Sequence, residues 1–433
     1  MQIDVNEFRK PCSCGREHEI VVDDIVIEKG ALKRLPAIMK ERYSHYQKIA
    51  MICDDHTYEA AGKLVKELLP DIIVICLDSN NLHADEHGVE ACEKELVKHE
   101  GIDFMIAVGS GTIHDITRYH CYEKKVPFLS IPTAASVDGF VSTVAAMTWH
   151  GFKKSFTAVS PIFVLADSEI FSKAPQRLTA SGVGDLLGKY TALCDWKIGH
   201  AITGEYICES VIEMEYKVLR DLCANLDGIG AQDLDAYENL MYGLLLSGLA
   251  MQMIGNSRPA SGAEHHMSHL WEMATINEPI DYYHGEKVGV GLCLATAVYK
   301  KAEAKIREGT YTVKDHLDVE TDFIKEHVKE VLQEEILKEN TPNLLETIKG
   351  SDIKAHETEL LEILSELPDY ETMISYMKKV HGLTSMKELD LNEDLQPLTL
   401  RLSPYVRQRL TFMRLLKFYD FYDEITEGQG PSC

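Results

Sequence analysis

The stretch Ile106-Ala107-Val108-Gly109-Ser110-Gly111-Thr112-Ile113-His114-Asp115 decides the fold. An apolar, β-branched run ends in Gly-Ser-Gly-Thr and passes directly into a helical pattern. Such a turn leaves backbone N–H groups pointing outward at the positive end of a helix dipole, where a pyrophosphate can bind. His114 occupies the place of the third glycine in a GxGxxG fingerprint, so the segment taken alone reads equally well as a tight strand-to-helix turn. Working outward, short apolar runs at 20–27, 49–53, 72–76, 104–108, 126–131 and 162–165 read as buried strands, and 58–69 and 89–99 carry helical periodicity between them. Strand and helix in alternation predict a mostly parallel sheet covered on both faces.

Beyond about residue 175 the β pattern fades and long helical patterns follow at 205–224, 234–254, 287–304 and 317–338. The expected organisation is an α/β domain over residues 1–165 and an all-helical domain over 166–433. The stretch 239–257 is uncharged, yet Ser247, Gln252 and Asn256 shorten its apolar run below the roughly 20 residues that span a bilayer, and it reads as a buried core helix. The acid-rich stretch 320–371 reads as a set of solvated helix faces.

Composition narrows the partners. Asp and Glu number 69 against 44 Lys and Arg, for a formal net charge of −25, which repels nucleic-acid phosphates and anionic lipid headgroups. No nucleic acid and no membrane insertion is expected, while a small anionic ligand fits a locally basic or amide-lined pocket. The 11 cysteines are irregularly spaced and odd in number, and residues 1–7 lack the basic and apolar regions of a secretory leader, so reduced thiols in a cytoplasmic protein are expected.

Four groups of residues could carry chemistry. Asp54, ending the run 49–53, stands where a parallel-sheet nucleotide site meets the adenosine ribose, and an acid there favours a free 2′-hydroxyl. The bland alternative is a helix N-cap, which Asp55 or Thr57 supplies equally. The polar run Thr133, Ser136, Asp138 and Ser142 follows the next strand at the same carboxyl edge of the sheet. In the helical half, Asp185 sits among small and apolar residues, His265 and His269 are four apart on one helix face, and His284 offers a further imidazole. One carboxylate and two imidazoles leave coordination room for water or substrate, as a catalytic divalent ion requires. Cys12-Ser13-Cys14-Gly15-Arg16-Glu17-His18 has zinc-binding residue types but too few defined ligands, and reads as an N-terminal loop.

Taken in order, Gly111-Thr112-Ile113-His114-Asp115, Pro132-Thr133-Ala134-Ala135-Ser136-Val137-Asp138-Gly139, Gly182-Val183-Gly184-Asp185, Ser257-Arg258-Pro259-Ala260-Ser261-Gly262-Ala263-Glu264-His265 and Tyr283-His284-Gly285-Glu286-Lys287-Val288-Gly289 resemble the motifs of the glycerol-1-phosphate dehydrogenases. That family lies within the superfamily of iron-containing alcohol dehydrogenases, glycerol dehydrogenases and dehydroquinate synthases, and the likeness runs from about residue 20 to 300. The resemblance implies a dehydroquinate synthase-like fold, with a Rossmann-like α/β N-terminal domain followed by an all-α C-terminal domain. It implies dinucleotide contacts at Gly111, Thr112, Ile113, His114, Asp115, Thr133, Ala134, Ala135, Ser136 and Ser142. It further implies Asp138, Asp185 and His269 as substrate and catalytic residues, and Asp185, His265 and His284 as metal ligands. His266 is a local rival of His265, which is preferred because it follows Glu264 and stands four before His269.

The implied cofactors are NAD(H) or NADP(H) and one divalent ion, zinc, nickel or iron, all of which suit this donor set. The implied reaction interconverts dihydroxyacetone phosphate and sn-glycerol 1-phosphate, a small phosphorylated three-carbon pair, in a homo-oligomer, most simply a dimer. Gly139 and Phe140 replace the Ala-Pro that typically follows Asp in glycerol dehydrogenases. Arg258, Lys153, Lys154 and Lys189 are the cations expected to meet a phosphate. Glycerol dehydrogenase, dehydroquinate synthase and a catalytically silent NAD- and metal-binding protein are the alternatives.

Overall fold

The structure, a computed structural model, describes residues 2–427; Cys433, one of the thiols counted above, lies outside them. The chain divides into two compact units. The first comprises Met1–Gly182 and Arg220–Asn256, the second Val183–Leu219 and Ser257–Cys433.

The first unit is built on a seven-stranded sheet. Its strands are β1 (Gln2–Ile3), β2 (Asp24–Glu28), β3 (Ile49–Asp54), β4 (Ile73–Leu77), β5 (Phe104–Gly109), β6 (Phe128–Pro132) and β9 (Phe163–Asp167), in the spatial order β1-β2-β9-β6-β5-β3-β4. Every pairing is parallel except β1 with β2. Alternate residues feed opposite faces: Met51, Cys53, Ile106 and Val108 enter one core cluster, and Ala50, Ile52, Met105 and Ala107 enter the other. Burial on both faces accounts for the near-continuous apolar runs by which the strands were read.

The chain adds β4 on one side of β3 and β5 on the other, so the strand order reverses between β3 and β5. Their carboxyl ends open the crevice in which ligands of such sheets bind. Asp54 and the Gly109-Ser110-Gly111 turn therefore lie at this edge, and the pairing of Gly109 with Pro132 brings the 133–142 run beside them.

The expected strands are present, β2 beginning four residues later than its apolar run. A two-stranded antiparallel ribbon, β7 (Val144–Trp149) with β8 (Phe152–Thr157), was not anticipated. His150 and Gly151, with φ of 51° and 78°, form its two-residue turn, as hairpin twist demands.

The units are not the two contiguous blocks that the sequence suggests. Helix Leu234–Ile254 belongs wholly to the first unit, where it packs against β2 and the 139–141 turn. Its surface is apolar nearly all round, and residues such as Leu240, Leu244, Leu245 and Leu249 are buried, as expected of a core helix. No helix of the described residues is long and apolar enough to cross a membrane.

The second unit is helical. Helix His284–Glu308 runs through it and packs most extensively on helix Ala263–Glu272. A Cβ on Gly291 would stand 2.6 Å from the Glu264 carbonyl oxygen, so the missing side chain lets these two helices approach backbone to backbone. The expected helix at 317–338 is split into Thr321–His327 and Glu330–Glu339. Glu320, just before the first, is clamped by Arg401, Lys417 and the Tyr405 hydroxyl.

A candidate dinucleotide edge and a candidate metal centre

In the first unit, β5 ends at Gly109, and helix Gly111–Lys124 begins with Ser110 as an N-cap whose side chain makes no capping hydrogen bond. The first N–H groups of the helix are thus left for an external acceptor, the condition under which a helix N-terminus takes an anion. The Thr133 N–H donates to the Gly109 carbonyl at 3.0 Å, fastening the next loop to this edge. In that loop Thr133, Ala134, Ala135 and Ser136 are buried, and the Ser136 hydroxyl is buried with no hydrogen-bond partner among the described residues. A buried orphan hydroxyl beside an uncapped helix start fits a polar ligand, and these residues are compatible with a dinucleotide.

Several expected contacts have structural employment. His114 is fully buried, with Nδ1 2.9 Å from the Ser110 carbonyl oxygen and Nε2 2.7 Å from the Ser130 hydroxyl, and burial pushes its pKa down to about 3. It is a neutral tie between helix and sheet. Asp115 lies 3.4 Å from the Arg118 guanidinium, and the Ser142 hydroxyl is turned onto Val144. Asp54 is itself the N-cap of the following turn, in a reciprocal capping box with Thr57. Asp138 accepts a hydrogen bond from Ser247 at 3.1 Å.

Arg118 was not singled out from sequence. It is completely buried and donates to the carbonyls of Gly139, Phe140, Ser142 and Val144, fixing the loop that carries Asp138. The local signal is an arginine one helical turn beyond His114, on a helix that must meet the sheet.

In the second unit, Asp185, His265 and His284 each bring a ligand atom within 4.8 Å of the others. Asp185 Oδ1 is 3.4 Å from His265 Nε2, and the His265 and His284 ring centroids are 5.1 Å apart. Each imidazole is oriented from behind by a carboxylate. His265 Nδ1 lies 2.7 Å from Glu264 Oε1, and His284 Nδ1 2.9 Å from Glu272 Oε1. A carboxylate only accepts there, so each ring donates Nδ1–H and turns Nε2 the other way, the orientation that carboxylates impose on metal-binding histidines.

Gly184 allows the assembly: a Cβ on it would stand 2.3 Å from the Gly285 carbonyl oxygen, so its absence brings Asp185 up against the start of the His284 helix. Lys189, also buried, lies 3.2 Å from Asp185 Oδ1. Burial alone would raise the Asp185 pKa, but the Lys189 ammonium and the His265 and His284 rings hold it well below the usual carboxylate range. Burial disfavours a charge on His265, yet Asp185 and Glu264 outweigh it and raise its pKa to about 9. A cluster that concentrates negative charge and imidazole nitrogens in this way suits a divalent cation.

His266, one residue away, points elsewhere. Both its ring nitrogens are buried without partners among the described residues, and burial, helped by Arg409, Arg407, Arg258 and Arg414, keeps it neutral. His269 stacks near the cluster, 6.0 Å from the His265 ring and 5.9 Å from the His284 ring, and forms a second close group with Glu272 and His284.

Two of the expected phosphate cations are committed to other partners. Arg258 makes a two-pronged contact with Glu205 at 2.9 and 2.8 Å and also donates to the Leu410 carbonyl, while Lys189 is bound to Asp185. Lys153 and Lys154 lie half-buried on β8.

Residues 26–175 match the family model described as iron-containing alcohol dehydrogenase. The chain is 32% identical over 431 residues to a glycerol-1-phosphate dehydrogenase (NAD(P)+) of Bacillus licheniformis, covering 97% of this chain and 95% of that protein. It is 32% identical over 428 residues to one of Geobacillus stearothermophilus, covering 95% and 97%. Among solved structures, a probable glycerol dehydrogenase from Sinorhizobium meliloti superimposes with a TM-score of 0.61 at 17% identity, covering 91% of this chain and 92% of that one, a likeness of fold. With this identity sustained along nearly the whole of both chains, the protein belongs to the glycerol-1-phosphate dehydrogenase family.

Proposed function

We propose that the chain catalyses the NAD(P)-dependent interconversion of dihydroxyacetone phosphate and sn-glycerol 1-phosphate. The observation that carries the reading is the convergence of Asp185, His265 and His284, with Glu264 and Glu272 orienting the two rings. These three residues would hold a zinc, nickel or iron ion. When bound, that ion supplies Lewis acidity at the C2 oxygen, and the nicotinamide supplies or accepts the hydride at C2. In the reductive direction one hydride and one proton enter the ketone, giving the secondary alcohol and the oxidised nicotinamide.

The remaining tasks fall to this chain. Gly111, Thr112 and Ile113 offer N–H groups to the pyrophosphate, and Thr133, Ala134, Ala135 and Ser136 line the cofactor beside them. His114, Asp115 and Ser142 serve the same site by positioning its helix and loop. Asp54 meets the ribose, with its capping bond to Thr57 fixing the carboxylate. Asp138 orients a substrate hydroxyl, and His269 holds or relays the proton exchanged at the C2 oxygen. For the phosphate we favour Arg409. Among the described residues it donates only to neutral oxygens of Ser257 and Ser261, and burial together with Arg258 and Arg407 pushes its pKa down to about 10, a strain that a dianion would relieve.

A dimer and a cytoplasmic location belong to the same proposal; light scattering on the purified chain and fractionation of its host read them. The deciding experiment compares NADH oxidation with dihydroxyacetone phosphate and with dihydroxyacetone, followed by chiral analysis of the alcohol. Much higher kcat/KM on the phosphorylated ketone is expected. Equal efficiency on both would move the chain to glycerol dehydrogenase chemistry.

A further inference from the structure

The N-terminal loop at 12–18 lies outside everything assigned above, and its geometry is specific. Cys12 Sγ, Cys14 Sγ and a His18 ring nitrogen each lie within 4.8 Å of the others. Cys14 Sγ is 3.4 Å from His18 Nε2, close to the roughly 3.5 Å edge of a tetrahedron whose zinc–sulfur and zinc–nitrogen bonds are about 2.3 and 2.0 Å. His18 is buried, and its Nδ1 stands 2.6 Å from the Met253 carbonyl oxygen. A carbonyl only accepts, so Nδ1 carries the proton and the Nε2 lone pair faces the thiols, the tautomer a metal-binding histidine needs.

The backbone is folded to match. The Gly15 N–H donates to the Cys12 carbonyl at 3.1 Å, and the Arg16 N–H points at Cys14 Sγ at 3.5 Å, an orientation that stabilises a thiolate. Gly15 takes φ +78°, the left-handed conformation that lets the two cysteines turn toward one centre.

We propose that Cys12, Cys14 and His18 form a second metal site, for zinc, whose role is structural. Two thiolates and an imidazole select zinc over the harder divalent ions, and the fourth coordination position is completed by a further donor. The site fastens the N-terminal segment to the end of helix Leu234–Ile254. That junction already carries the Val21 N–H to Gln252 Oε1 bond at 2.9 Å, and Gln252 in turn donates to the Val141 carbonyl in the Asp138–Ser142 loop. Zinc at this place therefore buttresses the loop from behind. The inference stands whether or not the proposed reaction is right.

The test uses the full chain loaded with Co2+. The Asp185, His265 and His284 cluster contains no sulfur, so a near-ultraviolet thiolate-to-cobalt charge-transfer band reports the cysteine site alone. The band is expected in the unmodified protein and in Asp185→Ala, and lost in Cys14→Ser. Metal analysis after zinc loading should give two ions per chain, falling to one in either variant. A His18→Gln variant keeps both thiols and should weaken zinc retention against a chelator at least tenfold. Absence of the band in the unmodified protein, its persistence in Cys14→Ser, or a Cys12–Cys14 disulfide that survives purification under reducing conditions would overturn the site. The spectrum of the unmodified chain decides even where Cys14→Ser does not fold.

Discussion

The candidate dinucleotide edge of the first unit and the Asp185 cluster of the second are built from opposite materials. The edge is made of main chain: an uncapped helix start, a loop of small residues and carbonyls held by one guanidinium. The cluster is made of side chains from three separated stretches, Asp185, the helix carrying Glu264, His265 and Glu272, and the start of the helix carrying His284; Asp185, Glu264 and His265 are buried, His284 is partly exposed, and each depends on a charge supplied by another. A backbone site tolerates most side-chain changes that add no bulk. In a charge cluster, deleting one member leaves its partners buried and uncompensated.

The largest expected effect attacks the cluster. Asp185→Asn keeps the volume and removes the charge, and should lower kcat/KM by at least about 1000-fold with loss of the divalent ion, while NADH binding by fluorescence titration is retained. Retained metal and activity would put Asp185 outside the centre. Next, Glu272→Gln leaves every ligand in place but weakens the hold on His284, and metal affinity measured by competition should fall about 10- to 100-fold.

Adding bulk tests the other side of the contrast. Gly111→Val sets a side chain against Val137, whose Cγ2 would already lie 3.3 Å from a Cβ there, and should raise the NADH dissociation constant about tenfold or more without changing metal content. Unaltered NADH binding would mean that the helix start does not carry the cofactor.

A charged group away from the cluster separates stability from chemistry. Burial would raise the Glu320 pKa, but Lys417 and Arg401 bring it down to about 2. Its stabilising contribution is therefore complete above the unfolded value of 4.5 and is lost as pH falls from there toward 2. Glu320→Gln should cost about 2 kcal/mol in neutral-pH denaturant unfolding, with the deficit shrinking in acid, and leave kcat/KM unchanged. The smallest effect belongs to Asp54→Ala. Because that carboxylate caps a turn in addition to the ribose contact proposed for it, the preference for NADH over NADPH should narrow by only a few-fold.

The same contrast explains what could be read from the sequence. The edge was legible because its parts are contiguous: an apolar run, Gly-Ser-Gly-Thr and a polar loop announce themselves within about ten residues each. The cluster could be listed, and His265 preferred over its rival His266 by its place after Glu264 and four before His269, but it is helix packing that turns His265 toward Asp185 and leaves His266 among arginines. Glu264 and Glu272 were invisible as supports because their role depends on which ring nitrogen they meet. Lys189 and Arg258 looked like phosphate ligands because net charge does not reveal which carboxylate each cation has taken. The 144–157 hairpin was missed for a different reason: its His-Gly turn is a genuine local signal, but half-exposed strands carry little apolar patterning.

Arg118 addresses the 139–144 loop through carbonyl oxygens alone, a feature every residue type possesses. The loop's path is thereby uncoupled from its spelling. A substitution at Gly139, where an added Cβ would meet nothing within 4 Å, should leave the main chain held where it was, whereas Phe140 is fully buried with its ring edge-on to His114. For anyone wishing to retarget the enzyme, Gly139 is the natural position to randomise, while Phe140 and Arg118 are the ones to leave untouched.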